Sequence, residues 1–235
     1  MDISVIIPTL NEEKYVLKTL THAKKMLSGG LEVEFVLIDS GSRDATVAIS
    51  YGQFDKIHVD PTLAGFKYKS LNVGAGLAEG SFLFFLDADC LVPKGYDELI
   101  KKALNMDDVV GGAFEFQIEQ GGFMLFWAQW FNRTRYRITQ NYFGDQGVFC
   151  RKETYARIGG YPDQPIMEAA FFCRNLRKIG KLKLINSPVI SSVRRFEKGV
   201  FSVLLKDALI WVQFLIGMDI KKHAKGYWKE NKERF

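Results

Sequence analysis

Four short runs, at residues 3–7, 33–38, 56–59 and 81–86, alternate with polar turns and helix-length stretches through the first part of the chain. Ile3-Ser4-Val5-Ile6-Ile7 is β-branched and stopped by Pro8, while Ser81-Phe82-Leu83-Phe84-Phe85-Leu86 is bulky and follows Gly80. Near-continuous apolar runs of this length suit strands buried on both faces of a parallel sheet. Between them, Asn11-Glu12-Glu13 reads as the cap and acidic first turn of a helix reaching about residue 27. A second helix begins near Ala45, and a third runs from Lys67 to Ala78. Strand, turn and helix in repetition predict an α/β fold: a mostly parallel central sheet flanked by helices and joined by right-handed crossovers.

Ligands of open α/β sheets bind outside the carboxyl ends of the strands. Those ends carry Asn11 and Glu12, Asp39, and Asp87 with Asp89, and Lys69 stands near the start of the third helix. Each has a plainer role available: Asn11 as a helix cap, Asp39 and Ser42 as turn closers, Lys69 as a solvated charge. Turn chemistry does not require all of them at one sheet edge, and their convergence favours a binding site. Asp87-Ala88-Asp89 puts two carboxylates one residue apart where a strand ends. That spacing suits Mg²⁺ or Mn²⁺ held against a phosphate, and it also suits a helix-capping turn.

The 32 Lys and Arg against 27 Asp and Glu give +5, which fits an anionic partner such as a nucleotide or a phospholipid surface. Nucleic acid is not expected, because no groove-reading or stacking motif accompanies the charge. At 235 residues and 47% hydrophobic, the chain is expected to form a single domain. Its expected parts are a ligand-binding half at 1–90, a second half at 91–197, and a terminal helix with a basic tail at 198–235. Cys90, Cys150 and Cys173 are too scattered for a disulfide framework or a zinc site, which points to a reducing cytoplasm. The first apolar run lacks a basic flank and is cut by Pro8, so no signal peptide is expected. The longest apolar stretch, 208–218, is interrupted by Gln213 and falls short of the about 20 residues a bilayer crossing needs. A soluble protein, or one at the inner face of the membrane, is expected.

In the second half, a helix follows Pro93, and the strand at 109–114 carries Gly111-Gly112, a pair that allows close approach to a ligand. Phe123, Phe126, Trp127, Trp130, Phe131 and Ile138 then recur at largely helical spacing beside Arg133, Arg135 and Arg137. This suits a helix in a membrane interface, or one buried on the sheet with solvated arginines. Pro165 to Phe171 opens a helix to about residue 179, and Arg194-Arg195 follows a strand at 189–193. Two guanidiniums there either clamp a diphosphate or sit solvated at a strand end. From Gly199 an amphipathic helix with Val203, Leu204, Ala208, Trp211, Val212 and Leu215 is broken near Gly217. It closes the core, pairs with a second copy as a homodimer, or touches lipid. The basic tail after it is a solvated end or a membrane-attracted segment.

Ile6-Ile7-Pro8-Thr9-Leu10-Asn11-Glu12-Glu13, Asp39-Ser40-Gly41-Ser42-Arg43-Asp44-Ala45-Thr46, Leu71-Asn72-Val73-Gly74 and Phe85-Leu86-Asp87-Ala88-Asp89 resemble, in order, four motifs of family 2 glycosyltransferases with the GT-A fold. Phe143-Gly144-Asp145-Gln146-Gly147, Gly159-Gly160-Tyr161-Pro162-Asp163, Pro165-Ile166-Met167-Glu168 and Arg194-Arg195-Phe196 extend the resemblance to a branch of small, single-domain bacterial transferases. The resemblance implies transfer of a sugar from a nucleotide diphosphate sugar, UDP-linked in preference, with inversion by direct in-line displacement. It implies that Pro8, Thr9 and Glu12 line the base and ribose, that Asp39 accepts from a uracil-type imide, and that Lys69 faces the diphosphate. Asp87 would meet the ribose or sugar, Asp89 would hold the metal with Asp87 beside it, and Ser42 and Asn72 join the donor-binding set. Gly111, Gly112 and Gln146 would face the acceptor, a small molecule or a lipid phosphate, and Asp145 and Glu168 are the candidate catalytic acids.

One position departs from the family pattern. The usual Glu-Asp, whose Asp takes the acceptor proton, is Glu168-Ala169 here, and the later acid is Phe171. Three explanations stand: Glu168 acts as base, the acceptor is already anionic, or the chain binds sugar nucleotides with weak or no turnover. General-base assistance is worth about 10² to 10⁴ in rate, so its loss matters only for a neutral nucleophile. A sugar nucleotidyltransferase is the rival enzyme, but such enzymes usually carry a Gly-rich phosphate loop with Arg and Lys after the first strand, and Pro8-Thr9-Leu10-Asn11 has none.

Overall fold

The computed structural model describes residues 1–119, 123–192, 194, 200–221 and 223. Within them, strands β1 (Ile3–Thr9), β2 (Val33–Asp39), β3 (Lys56–Val59), β4 (Phe82–Phe85), β5 (Cys90–Leu91), β6 (Val109–Ile118), β7 (Val148–Arg151) and β8 (Lys181–Ser191) form one sheet. Its order is β3-β2-β1-β4-β7-β6-β8-β5. The helices are α1 (Val16–Lys25), α2 (Thr46–Ser50), α3 (Lys67–Leu77), α4 (Tyr96–Leu104), α5 (Phe123–Thr139), α6 (Lys152–Arg157), α7 (Glu168–Leu176) and α8 (Val200–Leu215).

The β3-β2-β1-β4 half is parallel throughout, as the alternation predicts. Beyond β4 the sheet is mixed: β7 runs antiparallel to both β4 and β6, β6 pairs parallel with β8, and β5 is antiparallel to β8. Residue pattern marks a segment as strand, whereas the connection before it sets its direction.

Strand periodicity divides the core into two layers. Ile3, Val5 and Ile7 of β1 face Val16 and Leu20 of α1 and Tyr96 and Ile100 of α4, while Ile6 faces Leu71 and Ala75 of α3 on the other side, in a layer completed by Phe172 and Leu176 of α7. The α1 start differs from expectation. Asn11 takes a left-handed backbone at φ 56°, and the helix begins only at Val16, so Asn11-Glu12-Glu13 is a loop and not a cap.

A third, smaller cluster fastens α8 to the start of α7: Ile210 and Phe214 pack with Ile166, Met167, Ala170 and Phe171. The Phe171 and Phe214 rings meet edge-on, with centroids 4.8 Å apart. On α5, Arg133 and Arg137 are one turn apart and both pair with the buried Glu115 of β6, which also accepts from the Tyr136 hydroxyl at 2.6 Å. Arg135 is buried, its guanidinium 4.0 Å from the Phe143 ring centroid. Arg133 and Arg137 thus hold helix to sheet, while Arg135 donates to Asn141 O at 3.3 Å in the loop that follows the helix. Phe126 and Trp130 of α5 and Leu205, Leu209 and Val212 of α8 remain exposed.

Candidate active site

Parallel pairing of β1 with β2 sets Thr9 opposite Asp39. The Thr9 hydroxyl donates to Asp39 Oδ2 at 2.9 Å, and the backbone N–H groups of Gly41 and Ser42 donate to Oδ1 at 2.9 and 2.7 Å. With the Ser42 hydroxyl also donating to Oδ2, this fully buried carboxylate has four donors, which matches its acceptor capacity. Ser42 Oγ in turn accepts from Asn11 N at 2.7 Å, and Asn11 Oδ1 accepts from Arg43 N at 2.8 Å. Asp39 and Ser42 thus lace two loops together behind the site instead of lining it.

In front of them lies a cavity of about 400 Å³, bounded by the ends of β1 and β4, the start of α3, residues 143–145 and 165–169, the end of β8, and α8. It brings together Pro8, Thr9, Glu12, Asp87, Asp89, Asp145, Glu168 and Arg194 of the expected residues. Two cations divide the acids between them. Lys67 Nζ lies 2.6 Å from Asp87 and 3.8 Å from Glu168. Arg194 donates to both oxygens of Glu12, at 2.6 and 2.9 Å, and reaches Asp89 Oδ2 at 3.0 Å, where the Ser192 hydroxyl also donates at 2.7 Å. The Arg194 guanidinium sits 4.9 Å from the Tyr15 ring centroid, a cation–π contact that fixes its plane.

Burial works against the Lys67 charge, yet Asp87, Glu168 and Asp145 hold its pKa well above that of an ordinary lysine. Burial likewise pushes the Glu168 carboxyl upward, with Lys67 drawing it partly back. Lys67 was not among the expected residues; Lys69 was. Lys69 is exposed, its ammonium 4.3 Å from the Phe66 ring centroid, and it does not line the cavity.

Four further expected residues stand elsewhere. Asn72 Nδ2 donates to Tyr161 O at 2.9 Å, and its Oδ1 accepts from Tyr161 N at 2.9 Å and from the Tyr155 hydroxyl, so it pins the 159–161 loop. Gln146 is buried, donating to Phe114 O at 3.2 Å and accepting from Phe143 N at 3.1 Å. Gly111 and Gly112 lie inside the sheet, where the close approach is to neighbouring strands and not to a ligand: a Cβ on Gly112 would stand 2.0 Å from Lys183 O. Arg195 lies outside the described residues.

Among the described residues no cluster of three or more His, Cys, Asp or Glu side chains could hold a metal by itself. Asp87 and Asp89 nonetheless fit a cation of the Mg²⁺ type, which is commonly held by one or two carboxylates together with substrate phosphates. Their present partners, Lys67 and Arg194, are cations too, so the site is already built to balance this charge.

The sheet, its flanking helices and the cleft at the strand ends define a GT-A glycosyltransferase fold, and comparison with known proteins agrees. The profile of glycosyl transferase family 2 matches residues 4–156, and the chain belongs to that family. A 98-residue segment, 40% of the chain, is 35% identical to the poly(ribitol-phosphate) beta-N-acetylglucosaminyltransferase TarS of Staphylococcus aureus but spans only 17% of TarS. Glycosyltransferase AglE of Haloferax volcanii is 26% identical over 70% of the chain and 57% of its own length. Among solved structures, TarS 1–349 in complex with UDP-GlcNAc superposes with TM-score 0.66 at 20% identity, over 82% of this chain and 58% of that one. Mannosyltransferase PcManGT of Pyrobaculum calidifontis, in complex with GDP-Man and Mn²⁺, gives 0.66 at 18% identity, over 96% and 69%.

Proposed function

We propose that this chain transfers a sugar from a nucleoside diphosphate sugar to an acceptor held beneath α8, with inversion at the anomeric carbon. The observation that carries the reading is the cavity in which Asp87 and Asp89 at a strand end face Lys67 and Arg194. Pro8, Thr9 and Glu12 would border the nucleoside, and Lys67 and Arg194 would turn from their carboxylates to the diphosphate oxygens. A divalent Mg²⁺ or Mn²⁺ held by Asp89 with Asp87 would add positive charge against the departing diphosphate. UDP is preferred over GDP because TarS, one of the relatives matched in sequence, was solved with UDP-GlcNAc. Titration calorimetry with MnCl₂ present is expected to show one site of micromolar affinity, about −8 kcal/mol, for a UDP sugar, and to lose it in Asp89→Ala. No binding of any UDP, GDP or dTDP sugar would sink the reading.

The exposed Phe126, Trp130, Leu205, Leu209 and Val212 favour a lipid surface as the place of work, with exposed Lys206 and Lys221 near anionic headgroups. No helix of the described residues is long and apolar enough to cross a membrane. Co-sedimentation with phosphatidylglycerol vesicles is expected, and Leu209→Asp should weaken it severalfold. Light scattering that shows a dimer, together with no vesicle binding, would assign this face to a second copy instead.

A further inference from the structure

The helix α8 brings to the cavity an acid that belongs to no strand end. Asp207 lines it, as do Ile210 of the same helix and Met167 and Ala169 of the α7 segment. It is the one acid in the α8 sequence VFSVLLKDALIWVQFL, which has Lys206 as its other charge. Asp207, Ile210 and Phe214 share a helix face at i, i+3 and i+7. Ile210 and Phe214 are the side chains that fasten α8 to Ile166, Met167, Ala170 and Phe171. Asp207 therefore stands one turn before that anchor and shares the cavity with the buried Ala169, which offers no group able to take a proton.

The other two acids that are candidates for proton transfer stand toward the donor. Glu168 is 3.8 Å from Lys67, which is itself 2.6 Å from Asp87. The turn carrying Asp145 presses on the same pair, since a Cβ on Gly144 would lie 2.8 Å from Lys67 Nζ. An aspartate on an apolar helix is costly to desolvate and weak in helix propensity, and here it has the buried Arg135 of α5 as a counter-charge that favours its ionised form.

We propose that Asp207 is the general base for the acceptor, and that the acceptor nucleophile is a neutral hydroxyl. This rests on the glycosyl-transfer reading above. The hydroxyl oxygen forms the bond to the anomeric carbon with its lone pair as its proton passes to the Asp207 carboxylate. The bond from that carbon to the diphosphate oxygen breaks, and its electron pair leaves with the nucleoside diphosphate. An already ionised phosphate acceptor would need no such group.

The test uses the full chain with MnCl₂ and UDP-GlcNAc or GDP-mannose, whichever binds by calorimetry, with water as the acceptor. Asp207→Asn is expected to lower kcat for donor hydrolysis about 100-fold while leaving the donor Kd within about twofold. The acid limb of the kcat–pH profile should vanish in the same variant, and adding Ala169→Asp to it should recover kcat at least about tenfold, because that side chain enters the same cavity. A kcat within about threefold of the parent, or a reduced kcat that keeps its acid limb as a packing defect would, overturns the assignment. So does a parent that turns nothing over until Ala169→Asp is made. Failure of the parent to bind any donor would instead remove the underlying reading.

Discussion

Gly112→Ala is expected to destabilise the fold by more than about 4 kcal/mol, the range reached only when a core has no room to adjust. The added Cβ would lie 2.0 Å from Lys183 O and 2.6 Å from Phe149 Cζ. Lys183 belongs to the β6–β8 ladder, opposite Gly112 and next to the Ala113–Leu184 pair, so its carbonyl cannot retreat without breaking the longest strand pairing in the sheet. Phe149 is fully buried and packs against Phe114 at a centroid distance of 5.8 Å. Gly76→Ala is the control: it lies exposed on α3 with nothing within 4 Å of its Cβ, and it should be neutral or gain up to about 1 kcal/mol. Urea denaturation followed by near-ultraviolet circular dichroism reads both. A Gly112→Ala protein within about 1 kcal/mol of the parent would show that β6 and β8 are not paired as described.

That glycine shows where sequence stops being enough. The apolar runs and their spacing made β1 to β4 and the acid-bearing edge legible, because strand period and buried parallel pairing leave a direct mark on residue type. Gly111-Gly112 marked a close approach, but not what approaches, and the partner strand comes from some seventy residues further on. Asp39 was legible as a strand-end acid, while its four donors come together only when β1 sets Thr9 beside it and the 40–46 loop folds over it. Asn72 and Gln146 carry motif positions yet serve the backbone of distant segments, a tertiary use of a polar group that no local pattern announces. Asp207 has no motif at all; its signal was a single acid on the inward face of an apolar helix.

Lys67→Met is expected to weaken UDP binding by about 2–3 kcal/mol, a factor of roughly 30 to 150, while Lys69→Met changes it less than about twofold. The two lysines are separated by two helical positions, which is about 200° around the α3 axis. Only one can face the cleft, and Ser70, at i+3 from Lys67, lines the cavity with it. Lys67 is already desolvated and aligned by Asp87 at 2.6 Å, so a diphosphate gains a pre-placed ammonium with little reordering. The Lys69 ammonium, exposed over Phe66, would have to leave that ring and cross to the other side of the helix. Removing Lys67 also leaves Asp87 and Glu168 without their shared cation. The Glu168 carboxyl, pushed up by burial and drawn down by Lys67, then moves further up and binds a proton more readily near neutrality. UDP binding should accordingly be accompanied by a different proton release in Lys67→Met, measurable by calorimetry in buffers of unequal ionisation enthalpy. If Lys69→Met is the variant that loses UDP, the rotational setting of α3 on the sheet is wrong, and the donor reading of Lys67 falls with it.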